Sequence, residues 1–139
     1  MTVLDASVVI DGLARPRSQA IEDLIRGQIV RIATVNIAEV VDVLMRRHGI
    51  EQTDVVDRVD LLRQAGLLIE PLSARQALDA GSLRARRYDK QRAAVSMADC
   101  VAIALAAEVG EPIASSDRAL LAVAVAEGVP VVELTPFRS

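Results

Sequence analysis

The stretch that decides the fold of this chain is Thr2-Val3-Leu4-Asp5-Ala6-Ser7-Val8-Val9-Ile10-Asp11. Its apolar start predicts a short buried strand, and Asp5 stands where that strand ends. In open α/β sheets, ligand sites form outside the carboxyl ends of the strands. The stretch therefore predicts a first strand with a functional carboxylate at the edge of the sheet.

The composition limits the class of protein. A length of 139 residues fits a single domain over residues 1–139, and 52% of the residues are apolar while only 1% are aromatic. The core must therefore consist of Ala, Val, Leu and Ile, and base stacking on an aromatic platform is not expected. Because the net charge is −3, any basic surface that binds nucleic acid must be local.

Cysteine usage and hydropathy indicate the cellular compartment. The single cysteine, Cys100, permits no internal disulfide and suits a reducing cytosol. No apolar run reaches the roughly 18 residues of a membrane span, and the first residues lack the basic leader of a signal peptide. We therefore expect a soluble cytoplasmic protein without a membrane segment.

Isolated glycines divide the chain into alternating helices and strands. Glycine is favoured just past a helix end, and five glycines follow helix-like runs: Gly27, Gly49, Gly66, Gly110 and Gly128. After the first strand, strands are predicted at 29–33, 67–70, 113–114 and 129–134. Helices are predicted at 18–26, 37–48, 54–65, 74–88, 97–109 and 117–127, with a short helical turn after Ser7. This alternation predicts an α/β fold with a central, mostly parallel sheet of about five strands, flanked by helices.

Cap residues predict where several helices begin. Asn36, Ser73 and Ser96 are each followed three positions later by an acid or an amide, which is the spacing of a capping box. Thr53 and Ser116 are predicted as further caps.

Four carboxylates are predicted near one edge of the sheet. Asp5 ends the first strand, Glu39 lies in the first turn of the helix after the second strand, and Asp117 opens the helix after strand 113–114. Because the carboxyl ends of parallel strands share one edge, these three side chains should converge. Asp99 follows a loop, so its place at this edge is an inference.

Converged carboxylates require compensation. Each close pair repels by about 4 kcal/mol at an effective dielectric near 20. Mg²⁺ and Mn²⁺ prefer oxygen ligands, and such an ion activates water and neutralises charge on a phosphate. The pattern therefore predicts a metal site for phosphodiester hydrolysis. A structural explanation stays open, since an acid in a first helical turn stabilises the helix dipole by about 0.3–1 kcal/mol.

The chain resembles the PIN-domain ribonucleases, specifically the VapC-type toxins of toxin–antitoxin pairs. The resemblance covers essentially the whole chain and rests on residues 4–8, 36–40, 96–100 and 115–120, in that order. It implies a three-layer PIN-like fold. It also implies a Mg²⁺ or Mn²⁺ site for cleavage of single-stranded regions of RNA, leaving a 3′-hydroxyl. The resemblance further implies a homodimer and a small cognate VapB-type antitoxin that blocks the site. The matching acids are Asp5, Glu39, Asp99 and Asp117, with Ser7 and Ser115 in supporting positions.

A basic cluster precedes the third segment of the resemblance. It is predicted to contact RNA phosphates beside the acidic site, since the planar fork of Arg binds two oxygens. A solvated helix face is the alternative. The cluster consists of Arg84, Arg86, Arg87, Lys90 and Arg92.

Three other polar residues are given lesser roles. The only histidine, His48, suits the dipole at a predicted helix end, and Asp11 and Asp42 are interpreted as secondary acids.

Two other functions stay open at this point. A catalytically silent PIN-like module would bind RNA or a protein without turnover. An aspartyl-phosphate hydrolase also places an Asp after its first strand. It would normally have a second Asp two positions further on, where this chain has Ser7, and a Lys, of which Lys90 is the only one.

Overall fold

The computed structural model describes residues 1–15 and 20–134 of the chain. Within these residues, five strands alternate with seven helices. The strands are β1 (Thr2–Leu4), β2 (Val30–Ala33), β3 (Leu67–Glu70), β4 (Ile113–Ser115) and β5 (Val131–Glu133). The helices are α1 (Ala6–Leu13), α2 (Ala20–Ile25), α3 (Thr34–Arg46), α4 (Gln52–Ala65), α5 (Ala74–Arg87), α6 (Met97–Val109) and α7 (Arg118–Ala126). The predicted start of a helix at Ser18 lies outside the described residues.

The strands form one parallel sheet with the order β3-β2-β1-β4-β5. Strand β1 is central, and its residue Leu4 pairs with Ile32 on one side and with Ala114 on the other. All the described strand pairs are parallel, which confirms the predicted α/β sheet. The strand order reverses at β1, and ligand crevices open at such a switch point.

Alternate residues of the strands face two separate cores. Val3 and Ile113 contribute to a core covered by α5, α6 and α7, whereas Leu4 and Ala114 contribute to a core covered by α1 to α4. This two-residue period is what a strand buried on both faces requires. The result is the predicted three-layer arrangement, with Cys100 fully buried in the first core.

Two helices near the sheet edge begin earlier than predicted. A full eight-residue helix, α1, begins directly after Asp5, where only a short turn was expected. Helix α3 begins at Thr34 with Ala33 as its N-cap, so the predicted capping box at Asn36 is wrong. Asn36 is fully buried, and its side-chain amide donates to the carbonyl of Ala98 at 3.1 Å. This contact between helices takes the place of a local cap.

Of the four remaining predicted caps, two are confirmed and two are wrong. Ser73 and Ser96 cap α5 and α6 through their hydroxyls, as expected. Helix α4 begins before Thr53, with Glu51 at its N-cap, and Asp117 rather than Ser116 caps α7. A carboxylate accepts from backbone N–H groups more strongly than a hydroxyl does, which favours Asp117 over Ser116.

Helix α6 shows how the glycines end the helices. Gly110 follows α6 with φ 68°, in the left-handed region where a side chain is disfavoured. The chain then turns back into β4. In the described part of the chain, no helix combines the length and the apolar character needed to cross a membrane.

Candidate active site

Asp5 lies at the carboxyl end of the central strand, and three donors hold its carboxylate. The hydroxyl of Ser115 donates to Oδ2 at 2.6 Å, and the hydroxyl of Ser7 donates to Oδ1 at 2.7 Å. The backbone N–H of Val8 lies 3.4 Å from Oδ1, so Asp5 also caps α1. Asp5 is only 2% exposed, and this burial raises its pKa to about 6 in spite of the donors. The carboxylate is therefore fixed in position and poorly solvated.

The two supporting serines connect the ends of β1 and β4. The Ser7 hydroxyl accepts from the backbone N–H of Ser116 at 3.3 Å, and the Ser115 hydroxyl accepts from the N–H of Asp117 at 2.9 Å. Each serine thus contacts Asp5 and the β4–α7 junction at once. The structure places Ser7 and Ser115 against Asp5, as the resemblance implies.

Glu39 reaches the same region from α3. It lies in the second turn of that helix, not in the first, because α3 begins at Thr34. Burial raises the pKa of Glu39, and the negative charges of Asp99, Asp117 and Asp42 raise it further. These electrostatic effects require the carboxylates of α3, α6 and α7 to lie near one another.

Asp99 and Asp117 stand at the N-termini of α6 and α7. Oδ2 of Asp99 accepts from the N–H of Ser96 at 2.9 Å and completes a capping box. Oδ1 of Asp117 accepts from the N–H groups of Ala119 and Leu120 at 2.9 and 3.2 Å. The structural role of both acids is therefore real, and the backbone bonds that serve it reach one oxygen of each carboxylate. Burial, followed by the charge of Asp117, raises the pKa of Asp99.

All four predicted acids line one cleft at the carboxyl edge of the sheet, near the switch point. Asp11 and Asp42 also line this cleft, which we call the acidic pocket. Its cationic residues are at the end of α3. The polar and charged residues that line the acidic pocket are Asp5, Ser7, Asp11, Glu39, Asp42, Arg46, Arg47, His48, Asp99 and Asp117.

The acidic pocket has the donor chemistry of a magnesium or manganese site. Its ligands are carboxylate oxygens, which these hard cations prefer. Among residues 1–15 and 20–134, however, no group of three or more His, Cys, Asp or Glu is arranged closely enough to hold a metal ion directly. Mg²⁺ usually keeps several waters and takes only one or two carboxylates directly, so the shared pocket suits an ion held partly through water.

The residues of the predicted basic cluster are not among those that line the acidic pocket. The guanidinium groups of Arg86 and Arg87 donate to one oxygen of Glu127, at 2.8 and 3.1 Å. Glu127 follows the C-terminus of α7, whereas Asp117 precedes its N-terminus. The nine residues of helix between them give ten steps along the axis, which is a separation of roughly 15 Å. Arg84 donates to the carbonyl of Val95 and stacks on the ring of Tyr88. RNA contact by this cluster stays a prediction.

Sequence reasoning missed the positive side of the acidic pocket. Arg46, Arg47 and His48 line it, although only the acids were singled out. A signal was present, because Glu39, Val43 and Arg47 follow one another at intervals of four residues, on one face of a helix.

Comparison with known proteins identifies the family. The PIN domain family profile matches residues 2–126, so the chain belongs to the PIN-domain family. No match was found among curated proteins.

Solved structures share the fold along nearly the whole chain. The VapC20 toxin of Mycobacterium tuberculosis, described as cleaving the sarcin–ricin loop, superposes with a TM-score of 0.70 at 18% identity, covering 98% of this chain and 100% of that one. VapBC2 from Rickettsia felis, bound to a DNA fragment from its promoter, gives 0.72 at 12% identity over 96% and 98%. FitAcB from Neisseria gonorrhoeae gives 0.63 at 18% identity over 96% and 97%. At these identities the similarity establishes the shared fold.

Proposed function

We propose that this protein is a metal-dependent endoribonuclease toxin of the VapC type, which cleaves single-stranded regions of RNA. The observation that carries the proposal is the acidic pocket of a PIN-family chain. Asp5, Glu39, Asp99 and Asp117 come from four different segments and line this one cleft. The raised pKa values of Asp5, Glu39 and Asp99, where burial and neighbouring charges act together, are typical of a functional site.

The residues of the pocket are suited to different roles in phosphodiester hydrolysis. A bound Mg²⁺ or Mn²⁺ would supply a water of lowered pKa and neutralise charge on the phosphate. Asp5 is suited to hold that ion, because Ser7 and Ser115 fix its carboxylate. Asp99 and Asp117 each offer a second oxygen that their helix caps orient. Glu39, whose pKa is raised, is suited to accept a proton from the attacking water.

The proposal includes partners. VapBC2 and FitAcB are toxin–antitoxin complexes with the same fold, which supports a small antitoxin as a partner of this chain. RNA as substrate and a homodimer remain part of the proposal. An aspartyl-phosphate hydrolase is less well supported, because Ser7 donates to Asp5 and Lys90 is not among the residues that line the acidic pocket.

Cleavage of total RNA tests the function. Purified protein should degrade an RNA pool when Mg²⁺ or Mn²⁺ is present and not in chelator. Asp99→Asn, which is nearly isosteric, should abolish cleavage while the circular dichroism spectrum stays that of a folded protein. Binding of RNA without metal-dependent cleavage would indicate the silent module, and cleavage by Asp99→Asn at the wild-type rate would remove Asp99 from the site.

A further inference from the structure

The acidic pocket has a cationic rim, formed by the guanidinium groups of Arg46 and Arg47 where α3 ends, with the imidazole of His48 beside them. The face of α3 that carries Glu39 continues through Val43 to Arg47, at intervals of four residues. Eight residues of helix place Arg47 roughly 12 Å further along the axis than Glu39. The rim is therefore a continuation of the acidic face, at some distance from the carboxylates that would hold a metal.

An RNA substrate makes such a rim necessary. Six carboxylates line the pocket, namely Asp5, Asp11, Glu39, Asp42, Asp99 and Asp117. They repel the phosphates of an approaching strand. A divalent ion compensates the charge of the phosphate at which hydrolysis occurs, but the neighbouring phosphates of the strand still face negative charge. Cations inside the same cleft are the groups that can offset this repulsion.

We propose that Arg46 and Arg47 bind the backbone phosphates next to the cleaved bond of single-stranded RNA, and that His48 adds a donor beside them. This inference rests on the proposed function and assigns it a substrate-binding subsite. The guanidinium of Arg46 is already oriented, since its Nε and Nη2 donate to the two oxygens of Asp42 at 3.2 and 3.0 Å. Arginine suits this role because its planar fork binds two phosphate oxygens. Such contacts contribute affinity and fix the position of the strand, but they do not distinguish one base from another.

The predicted basic cluster provides a contrast within the same chain. Arg86 and Arg87 pair with Glu127, at the far end of α7 from Asp117, just as Arg46 pairs with Asp42, so pairing with a carboxylate does not distinguish the cluster from the rim. The rim arginines instead share a cleft with the proposed catalytic acids. Position relative to the acids, rather than the number of arginines, is what favours the rim.

A structural role of the rim is the competing explanation. Cations in the last turn of a helix stabilise its dipole, and Arg46 and Arg47 lie at the end of α3. That role would change the melting temperature and leave the salt dependence of RNA binding unaffected. Phosphate contacts, by contrast, set the slope of binding against salt concentration.

The test measures RNA binding as a function of salt. Fluorescence anisotropy of a short, labelled single-stranded RNA is followed at constant Mg²⁺ between about 50 and 200 mM salt. The protein carries Asp99→Asn so that the RNA is not cleaved. Adding Arg46→Ala with Arg47→Ala should weaken binding about tenfold at the lower salt concentration. It should also flatten the slope of log K against log salt by roughly 0.7 for each lost contact.

A matched control comes from the chain itself. Arg63→Ala with Arg75→Ala removes the same charge, and each of these exposed arginines also pairs with an Asp of its own helix, Asp60 or Asp79. This control should bind RNA like its parent. Arg46→Lys with Arg47→Lys keeps the charge and should recover the slope. If the double alanine variant does not fold, Arg47→Gln keeps most of the stem and is measured instead.

The outcomes separate this inference from the proposed function. An unchanged salt slope in the rim variants, or an equal loss in the Arg63 and Arg75 control, would overturn the subsite. If the wild type cleaves RNA and Asp99→Asn does not, that same result would leave the nuclease proposal standing. If the wild type binds RNA through the rim but never cleaves it, the nuclease proposal fails and the subsite remains.

Discussion

The stability of the Asp5→Asn variant without metal shows whether the charge of Asp5 destabilises the fold, as expected of a metal ligand, or whether Asp5 has a structural role. Burial raises the pKa of Asp5 from 3.8 to about 6, although Ser7 and Ser115 donate to its carboxylate. A shift of about two units corresponds to roughly 3 kcal/mol by which the fold disfavours the charged form. Because the folded pKa exceeds the unfolded one, this cost is absent below 3.8 and is present in full above about 6. The contribution of Asp5 to stability therefore falls as the pH rises through this window.

Asparagine removes the charge and keeps the shape. At about pH 8 the variant should avoid the roughly 3 kcal/mol by which the buried charge of Asp5 destabilises the fold. Weaker hydrogen bonds to the two serines should cost it about 1 kcal/mol. The net gain of about 2 kcal/mol should raise the melting temperature in chelator by roughly 5–8 °C. Near pH 4 the gain should vanish, because Asp5 is then protonated in the folded state and little of the cost of its charge remains.

Metal should reverse the order of the two proteins. A ligand that binds only the folded state stabilises it by about 2.7 kcal/mol at a hundredfold excess over Kd. Binding of Mg²⁺ or Mn²⁺ should stabilise the wild type by this amount. It should stabilise Asp5→Asn much less, because that variant lacks one ligand. Thermal unfolding of both proteins, with chelator and with metal, shows whether the order of their melting temperatures reverses. Two parallel offsets that depend on neither metal nor pH would refute the reasoning and make Asp5 a structural residue.

Two further variants test contacts beside and away from the pocket. Asn36→Ala removes the buried bond to the carbonyl of Ala98, next to Asp99, and should destabilise the fold by about 1–2 kcal/mol. It should lower kcat for RNA cleavage without changing the Kd for RNA, and equal kcat values would show that Asn36 only supports packing. Arg86→Ala with Arg87→Ala tests the predicted basic cluster. Because Glu127, to which both donate, lies at the opposite end of α7 from Asp117, RNA affinity should change less than in the rim variant, and a larger loss would place substrate on α7.

The sequence predicted the elements whose ends carry a local signal. The bounds of β3 and α6 match the prediction, because Gly66 marks the start of the strand and Ser96 and Gly110 mark the ends of the helix. The first turn of α3 was misplaced, since Asn36 has the residue type of a cap but bonds to another helix. Sixty-two positions separate Asn36 from Ala98, and no local pattern reports such a contact.

The candidate site was predictable to a similar extent. Alternation of strands and helices predicted Asp5, Glu39 and Asp117 at one edge, whereas Asp99 follows a loop and was placed there by inference and by the resemblance. The cationic rim was not predicted, because His48, Arg46 and Arg47 look like an ordinary helix end when α3 is considered alone. Only the packing of α3 against α1 and α6 turns that helix end into one wall of a cleft.

The structural and functional explanations of the acids turn out to be compatible. Asp5, Asp99 and Asp117 each bond to backbone N–H groups at the start of a helix, and each does so through a single oxygen. A helix N-terminus carries partial positive charge, so these three helix starts reduce the repulsion that the converged carboxylates would otherwise suffer. Capping therefore orients the acids and lowers the cost of bringing them together.

Glu39 is the exception, and its difference has a consequence. It lies in the second turn of α3, where helical N–H groups are already bonded, so no helix start compensates its charge. Burial and the neighbouring acids raise its pKa, which makes its carboxylate a stronger base than that of an ordinary glutamate. Three capped acids thus form the fixed part of the pocket, and the uncapped Glu39 is the group that we propose to exchange a proton in the proposed hydrolysis.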